Sequence, residues 1–324
     1  AFLNLMATKE ALKSLTYEEV AGMSAAAMLD PVHTFTVPEI IETCGMGGDK
    51  GFYKNGERYK SINASTLSAI VLSATGLPAV KHGSYGNTSA VGSTEMIESF
   101  GAKTDCSDAA EVMRIWRKTN FSFFDAHWCK TIHDLSHLLM METVNHIVGP
   151  MTPPICKDTV INKLMGVNEK VTPETIARAY ALLHMQKVQK VGGVLVICGL
   201  DAASKVVTDE VSPFTTVFSA AYQDTFLGNG TITPVDFGVE ISLDQILVTN
   251  TQKEIHTANV NALYGRNPHL VNYLAMNASL GMFAHTYMCK SDAVVKGKLN
   301  SAYLKTCFDI CRKAIVEGRA KRVL

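Results

Sequence analysis

Apolar positions fall into two kinds of run, long ones with helix caps and short ones bounded by glycine or loop residues. Residues 1–30 read as helical throughout. Ala1 to Lys13 is a helix-forming run, and Thr16-Tyr17-Glu18-Glu19 is a capping box in which Thr16 caps a backbone amide while Glu19 reaches back. The second helix stops near Asp30-Pro31. Ile40-Ile41 reads as a strand, Leu67 to Thr75 as an apolar helix closed by Gly76, and Ala79-Val80-Lys81 as a short buried strand. Helices follow at 93–100, closed by Gly101, and at 108–118, capped by Ser107-Asp108; Phe121 to Phe124 is then a strand. Ile132 to Val148 is an apolar helical stretch, and Thr172-Pro173-Glu174 starts another helix, with proline where its missing N–H costs nothing. Gly193 to Cys198 is too short for a helix and is bounded by glycine, hence a buried strand. Residues 291–324 form a closing amphipathic helix whose end, Arg319, Lys321 and Arg322, is most simply a solvated terminus. Strands alternating with helices imply an α/β fold of parallel βαβ units.

Composition narrows the classes. The chain has 324 residues, 47% of them apolar, enough for a large core. Thirty basic and thirty acidic residues cancel, which removes the long-range positive field of a nucleic-acid binder and makes any phosphate recognition local. No apolar run reaches a membrane span, and residues 1–30 lack the order of a signal peptide, so a cytoplasmic protein without membrane or nucleic-acid partners is expected. Eight cysteines without a Cys-x-x-Cys pair read as reduced thiols, and Cys307 and Cys311 as small buried hydrophobes.

Candidate chemistry concentrates between Glu42 and Gly101. Gly45, Gly47 and Gly48, ahead of Asp49, lack side chains, so their N–H groups can converge on an anion; taken alone, such a loop is equally an ordinary glycine turn. Asn63, Ser65 and Thr66 open the next helix, where free amides form a second anion site. Lys81, at the end of its strand, is placed for a phosphate. Lys50 to Ile62 carries Lys50, Lys54, Arg58 and Lys60, with a hairpin turn at Asn55-Gly56; it is either a solvated basic loop or a lid over a polyanion. His133 and His137 have the i,i+4 spacing of a metal pair, but no third ligand follows at a diagnostic spacing, so pocket lining is the expectation.

Glycine loop, Asn63-x-Ser65-Thr66 at a helix start, then Lys81-His82-Gly83 together resemble the anthranilate phosphoribosyltransferase family, whose pattern is Gly-Thr-Gly-Gly-Asp, Asn-x-Ser-Thr and Lys-His-Gly-Asn. Asn145 to Pro154 resembles that family's Gly-Pro turn, Asp209-Glu210-Val211-Ser212 its Asp-Glu-x-Ser motif, Thr233 to Gly238 its Thr-Pro-x-Asp-Phe-Gly, and Asn277 to Leu280 its Asn-Ala-Ala-x-Leu helix. The resemblance implies a small all-helical domain beside a larger α/β domain with a mostly parallel sheet. The expected division is 1–36 helical and shortened, 37–126 α/β, 127–157 helical on the acceptor side, and 158–324 α/β. A homodimer is implied as well.

It further implies phosphoribosyl diphosphate as substrate, held by Gly45, Gly47, Gly48, Asp49, Asn63, Ser65, Thr66 and Lys81. Magnesium, expected as two ions with the diphosphate, would be carried by Asp209 and Glu210, with Ser65 as a further ligand. Ser84, Asn87, His127, Ser136 and His137 fall at the acceptor side. There the match fails. The family arginine that pairs with anthranilate's carboxylate falls on Ser136, another on Glu142, and Ser84-Tyr85 stands for Asn-Arg. The expectation is transfer of phosphoribosyl to an aromatic or heterocyclic acceptor other than anthranilate. Alternatives are an anthranilate phosphoribosyltransferase proper, a nucleoside phosphorylase, whose Lys-His-Ser-x-Gly-Gly loop is absent, and a non-catalytic nucleic-acid-binding relative.

Overall fold

Parallel strands converge with their C-terminal ends on one edge of a central sheet. The computed structural model describes residues 2–29, 31, 34–47, 51–86, 89–129, 144–201 and 205–324. Its strands are β1 (Glu39–Gly45), β2 (Phe52–Lys54), β3 (Glu57–Tyr59), β4 (Ala79–Gly83), β5 (Phe121–Asp125), β6 (Val160–Gly166), β7 (Val191–Asp201), β8 (Val206–Thr208), β9 (Thr215–Tyr222) and β10 (Thr225–Ile232). The sheet runs β10-β9-β7-β6-β1-β4-β5, with β8 against β7. From β1 the chain moves outward through β4 to β5, then returns to β6 on β1's other side. Strand order therefore reverses between β1 and β6, where open α/β sheets leave a crevice for ligands. Gly45 and Gly166 end that pair in register.

The sheet is mostly parallel, as expected, and carries an antiparallel arm in which β7 pairs with β8 and β9, and β9 with β10. A tight turn at Gln223, with φ of +54°, folds residues 215–232 back as a hairpin before any helix intervenes. The closing segment is not all helix: short strands at Val294–Val295 and Lys298–Leu299 precede the helix Ser301–Val316.

Both faces of the sheet are covered. On one side Ala64–Ala74, Pro268–Thr286 and Ser301–Val316 bury Leu67, Ile70, Leu274, Phe283, Phe308 and their neighbours. On the other, Tyr17–Ala27, Asn145–Met151 and Pro173–Met185 place Val20, Ile147, Met151 and Ile176 against Cys44, Met165 and Val196. The helices Phe2–Ala11 and Tyr17–Ala27 are separated at Lys13, with φ of +54°, in the two-helix arrangement expected. The capping box forms: Thr16 Oγ1 accepts from the Glu19 amide at 3.3 Å, and Glu19 Oε2 from the Thr16 amide at 2.9 Å.

Residues 52–59 form the hairpin expected at Asn55-Gly56, both at positive φ. It is pinned at several points. Phe52 is 1% exposed, Lys54 pairs with Asp244, and Lys60 exchanges backbone hydrogen bonds of 2.8 and 2.7 Å with Val248.

Candidate active site

Asp209 sits on the β1–β6 crevice and dictates its glycines. Its Oδ2 accepts the Gly47 N–H at 2.9 Å. A Cβ on Gly45 would lie 2.2 Å from that oxygen, and one on Gly166 would lie 1.6 Å from the Asp209 main-chain oxygen. Two motifs far apart in sequence thus meet because the strand ends carry no side chains. Met46 N–H donates to Gly166 O at 3.0 Å and Asn168 Nδ2 to Gly47 O at 2.8 Å, which fixes the start of the loop. Gly48 and Asp49 lie outside the described residues, as does Lys50.

The neighbouring carboxylate, Glu210, accepts from Ser61 Oγ, immediately after the hairpin strap. Val211 is held from beneath by two buried side chains of Pro268–Thr286. Its amide donates to Asn277 Oδ1 at 3.2 Å, and its carbonyl accepts from Tyr273 Oη at 2.8 Å. Asn277 is therefore a positioner of the Asp209-Glu210 turn. Ser212 ties the same turn, its Oγ donating to Leu200 O at 2.9 Å.

Asn63 precedes the helix Ala64–Ala74 but does not cap it. Its amide N–H donates to Asn259 Oδ1 at 2.9 Å, its side chain accepts from Asn259 Nδ2 at 2.7 Å, and its own Nδ2 reaches Val91 O at 3.0 Å. The helix start is tied to β1 through Thr43 Oγ1, which donates to Ser65 O at 2.6 Å. Thr66 Oγ1 donates to Ser93 Oγ at 3.0 Å, next to Gly83. Lys81 is 3% exposed and donates to His82 O; burial holds its ammonium below the usual lysine range.

Sequence reasoning missed the charged network beneath this cradle. Glu42 and Lys163 are fully buried and face each other from β1 and β6, and the second oxygen of Glu42 meets His82 Nδ1. Burial disfavours ionisation of Glu42, but Lys163 and His82 outweigh it and hold its carboxyl down at about 2. Burial likewise disfavours the Lys163 ammonium, and the paired carboxylate of Glu42 raises it above its ordinary range. A carboxyl with a depressed folded-state pKa stabilises the fold above its ordinary value and ceases to do so as pH falls toward the folded one. Denaturant titrations of the native chain should therefore lose stability between pH 4.5 and about 2 more steeply than those of Glu42→Gln/Lys163→Met. Parallel pH profiles would contradict this assignment.

Of the residues expected at an acceptor side, the described ones are peripheral. Ser84 is exposed, and its Oγ donates to Tyr85 O at 3.2 Å. Tyr85 turns outward, its hydroxyl donating to Glu98 at 3.0 Å. His127 is exposed, with Nδ1 2.7 Å from Asp125 Oδ1 at the end of β5. Asn87, His133, Ser136, His137 and Glu142 lie outside the described residues. Among the described residues no three His, Cys, Asp or Glu side chains gather into a metal cage, and no helix is long and apolar enough to cross a membrane.

Asp209 and Glu210 offer hard oxygen donors, which fits magnesium shared with a substrate's phosphates rather than an all-protein metal site.

Comparison with known proteins follows the same lines. The family model described as "Glycosyl transferase family, a/b domain" matches residues 38–305. The anthranilate phosphoribosyltransferase of Pyrococcus abyssi is 30% identical over 277 residues, covering 84% of this chain and 77% of the relative. That of Methanococcus vannielii is 31% identical over 292 residues, covering 88% and 80%. Among solved structures, anthranilate phosphoribosyltransferase from Saccharomyces cerevisiae in complex with PRPP and Mg shares the fold with a TM-score of 0.72 at 21% identity, covering 99% of this chain and 81% of that one. The Thermus thermophilus enzyme gives 0.70 at 22%, covering 97% and 84%.

Proposed function

The chain belongs to the anthranilate phosphoribosyltransferase family of glycosyltransferases, and we propose that it transfers phosphoribosyl from phosphoribosyl diphosphate to anthranilate, releasing diphosphate. The observation that carries the donor half is the 2.9 Å contact of Gly47 N–H with Asp209 Oδ2, which joins the glycine loop to the acidic turn.

In this reading Gly45, Gly47, Gly48, Asp49, Asn63, Ser65 and Thr66 cradle the phosphates at the sheet edge and the start of Ala64–Ala74. Asp209 and Glu210, with Ser65, would hold magnesium, which when bound neutralises the diphosphate as it leaves. Lys81, whose ammonium burial disfavours, gains its full charge beside the polyanion. Breaking the C1–O bond builds positive charge on ribose and negative charge on diphosphate, so fixed donors and positioning supply the catalysis. No nucleophilic side chain is required. The amine of the acceptor attacks C1 from the opposite face. The pinned hairpin at 52–59 would act as a wall beside Glu210 rather than a swinging lid.

A second reading, an acceptor other than anthranilate, is favoured by one feature: Ser136 stands where the family's carboxylate-pairing arginine falls, while Tyr85 points away to Glu98. Fluorescence loss of anthranilate with phosphoribosyl diphosphate and magnesium separates the two. Turnover by the native chain supports anthranilate; turnover appearing only in Ser136→Arg supports the altered acceptor. An unpaired buried carboxylate costs several kcal/mol, roughly a hundredfold or more in affinity, so the contrast should be large.

A further inference from the structure

The last turn of the helix Asn145–Met151, at Gly149-Pro150, accepts from Cys44 Sγ at Pro150 O (3.5 Å) and from Thr152 Oγ1 at Gly149 O (3.1 Å), and from two further side chains that share one carboxylate. Lys163 Nζ donates to Pro150 O at 2.6 Å, and His82 Nε2 lies 2.9 Å from Gly149 O. Behind them, one oxygen of Glu42 pairs with Lys163 and the other with His82 Nδ1. Glu42 and Lys163 are 0% exposed, and the three residues come from three adjacent strands, β1, β6 and β4.

The position of this carboxylate in the chain gives the contact its meaning. Three residues after Glu42, Gly45 ends β1 and opens the glycine loop, and Lys81 immediately precedes His82. Glu42 therefore lies at the junction of the donor cradle and the turn that ends Asn145–Met151. Packing alone would not explain a buried charge pair here, because apolar residues of similar volume commonly fold as well or better. Two donors aimed at two carbonyls and anchored on one carboxylate fix direction and distance, which apolar contacts do not.

We infer that Lys163, together with Glu42 and His82, is a positioning residue that sets the Gly149-Pro150 turn against the donor cradle and so governs acceptor binding. This rests on the phosphoribosyl-transfer reading of the site. Lys163 touches no reacting atom; it acts through the turn. Loss of its ammonium would leave the diphosphate cradle intact and let the turn drift, weakening the acceptor half selectively.

The test compares the native chain with Glu42→Gln/Lys163→Met, which removes both charges together and leaves neither unpaired, and with Lys163→Arg, which keeps the cation but moves the donor. Amide exchange of residues 145–152, calorimetric binding of phosphoribosyl diphosphate with magnesium, and kinetics with varied anthranilate are measured on each. For the double variant, exchange at the turn should speed by about tenfold or more and KM for anthranilate should rise by about tenfold, while affinity for phosphoribosyl diphosphate moves less than about threefold. Lys163→Arg should show a smaller change in the same direction, and it decides the matter if the double variant does not fold. Unchanged exchange at 145–152, or equal losses in donor and acceptor parameters, would overturn the inference. Native protein that fails to bind phosphoribosyl diphosphate would instead refute the function reading, and native protein inert toward anthranilate would refute only that acceptor, with exchange at the turn still judging Lys163.

Discussion

Asp209→Asn combined with Glu210→Gln is expected to abolish magnesium-dependent binding of phosphoribosyl diphosphate and to lower kcat/KM by about a thousandfold, near 4 kcal/mol of transition-state stabilisation. The fold should survive, because both replacements keep size and an acceptor oxygen. Gly47 N–H can still donate to the amide oxygen introduced at position 209, and Ser61 to the one introduced at 210, as they do now to the carboxylates. What disappears is the negative charge that would hold the cation against the diphosphate. Calorimetry and steady-state rates on the double variant check this, with thermal unfolding as the control. Native-like rates in the variant would remove both carboxylates from the mechanism.

A single methyl group at the β1–β6 crevice should have nearly as large an effect. In Gly166→Ala the new Cβ would stand 1.6 Å from the Asp209 carbonyl oxygen and 2.5 Å from its carbonyl carbon, and backbone cannot yield as a side-chain tip can. The Asp209-Glu210 turn must move, and a displacement near 1 Å at positioning groups can cost about a hundredfold in kcat/KM. Overpacking should cost the fold about 1–3 kcal/mol. Gly22→Ala provides the control: its Cβ meets nothing within 4 Å inside Tyr17–Ala27, so it should leave activity unchanged and stability equal or raised by up to about 1 kcal/mol. If Gly166→Ala and Gly22→Ala behave alike, the close packing of Asp209 on the strand ends has no bearing on the site.

Local signals make much of this legible in the sequence. Thr16 to Glu19, Asp108, Thr172-Pro173 and Asn55-Gly56 carry their structure in their own chemistry, and each forms the cap or turn expected of it. The glycine loop and the acidic turn are visible as motifs, but their meeting is not, since Gly47 and Asp209 are joined only by strand order. β6 escapes notice as a strand because Asn162 and Lys163 interrupt its apolar run; the lysine satisfies itself on Glu42, a partner in β1 that no local pattern announces. Two charges set within otherwise apolar strands are the available sign of a pair. Asn63 looks like a helix cap because asparagine usually is one, whereas tertiary contact with Asn259 claims its side chain. The β9–β10 hairpin turns back at Gln223, a residue without turn propensity of its own, so the antiparallel arm of the mostly parallel sheet is not legible in the sequence.

The central claim is that this crevice receives a diphosphate through a shared cation. Calorimetric titration of the native chain with phosphoribosyl diphosphate, with magnesium and then in excess chelator, tests it most directly. Binding that requires magnesium, weakening by about a hundredfold or more without it, is the predicted result, since Asp209 and Glu210 repel a bare polyanion. Equal affinity in chelator, or no binding in either condition, would contradict it.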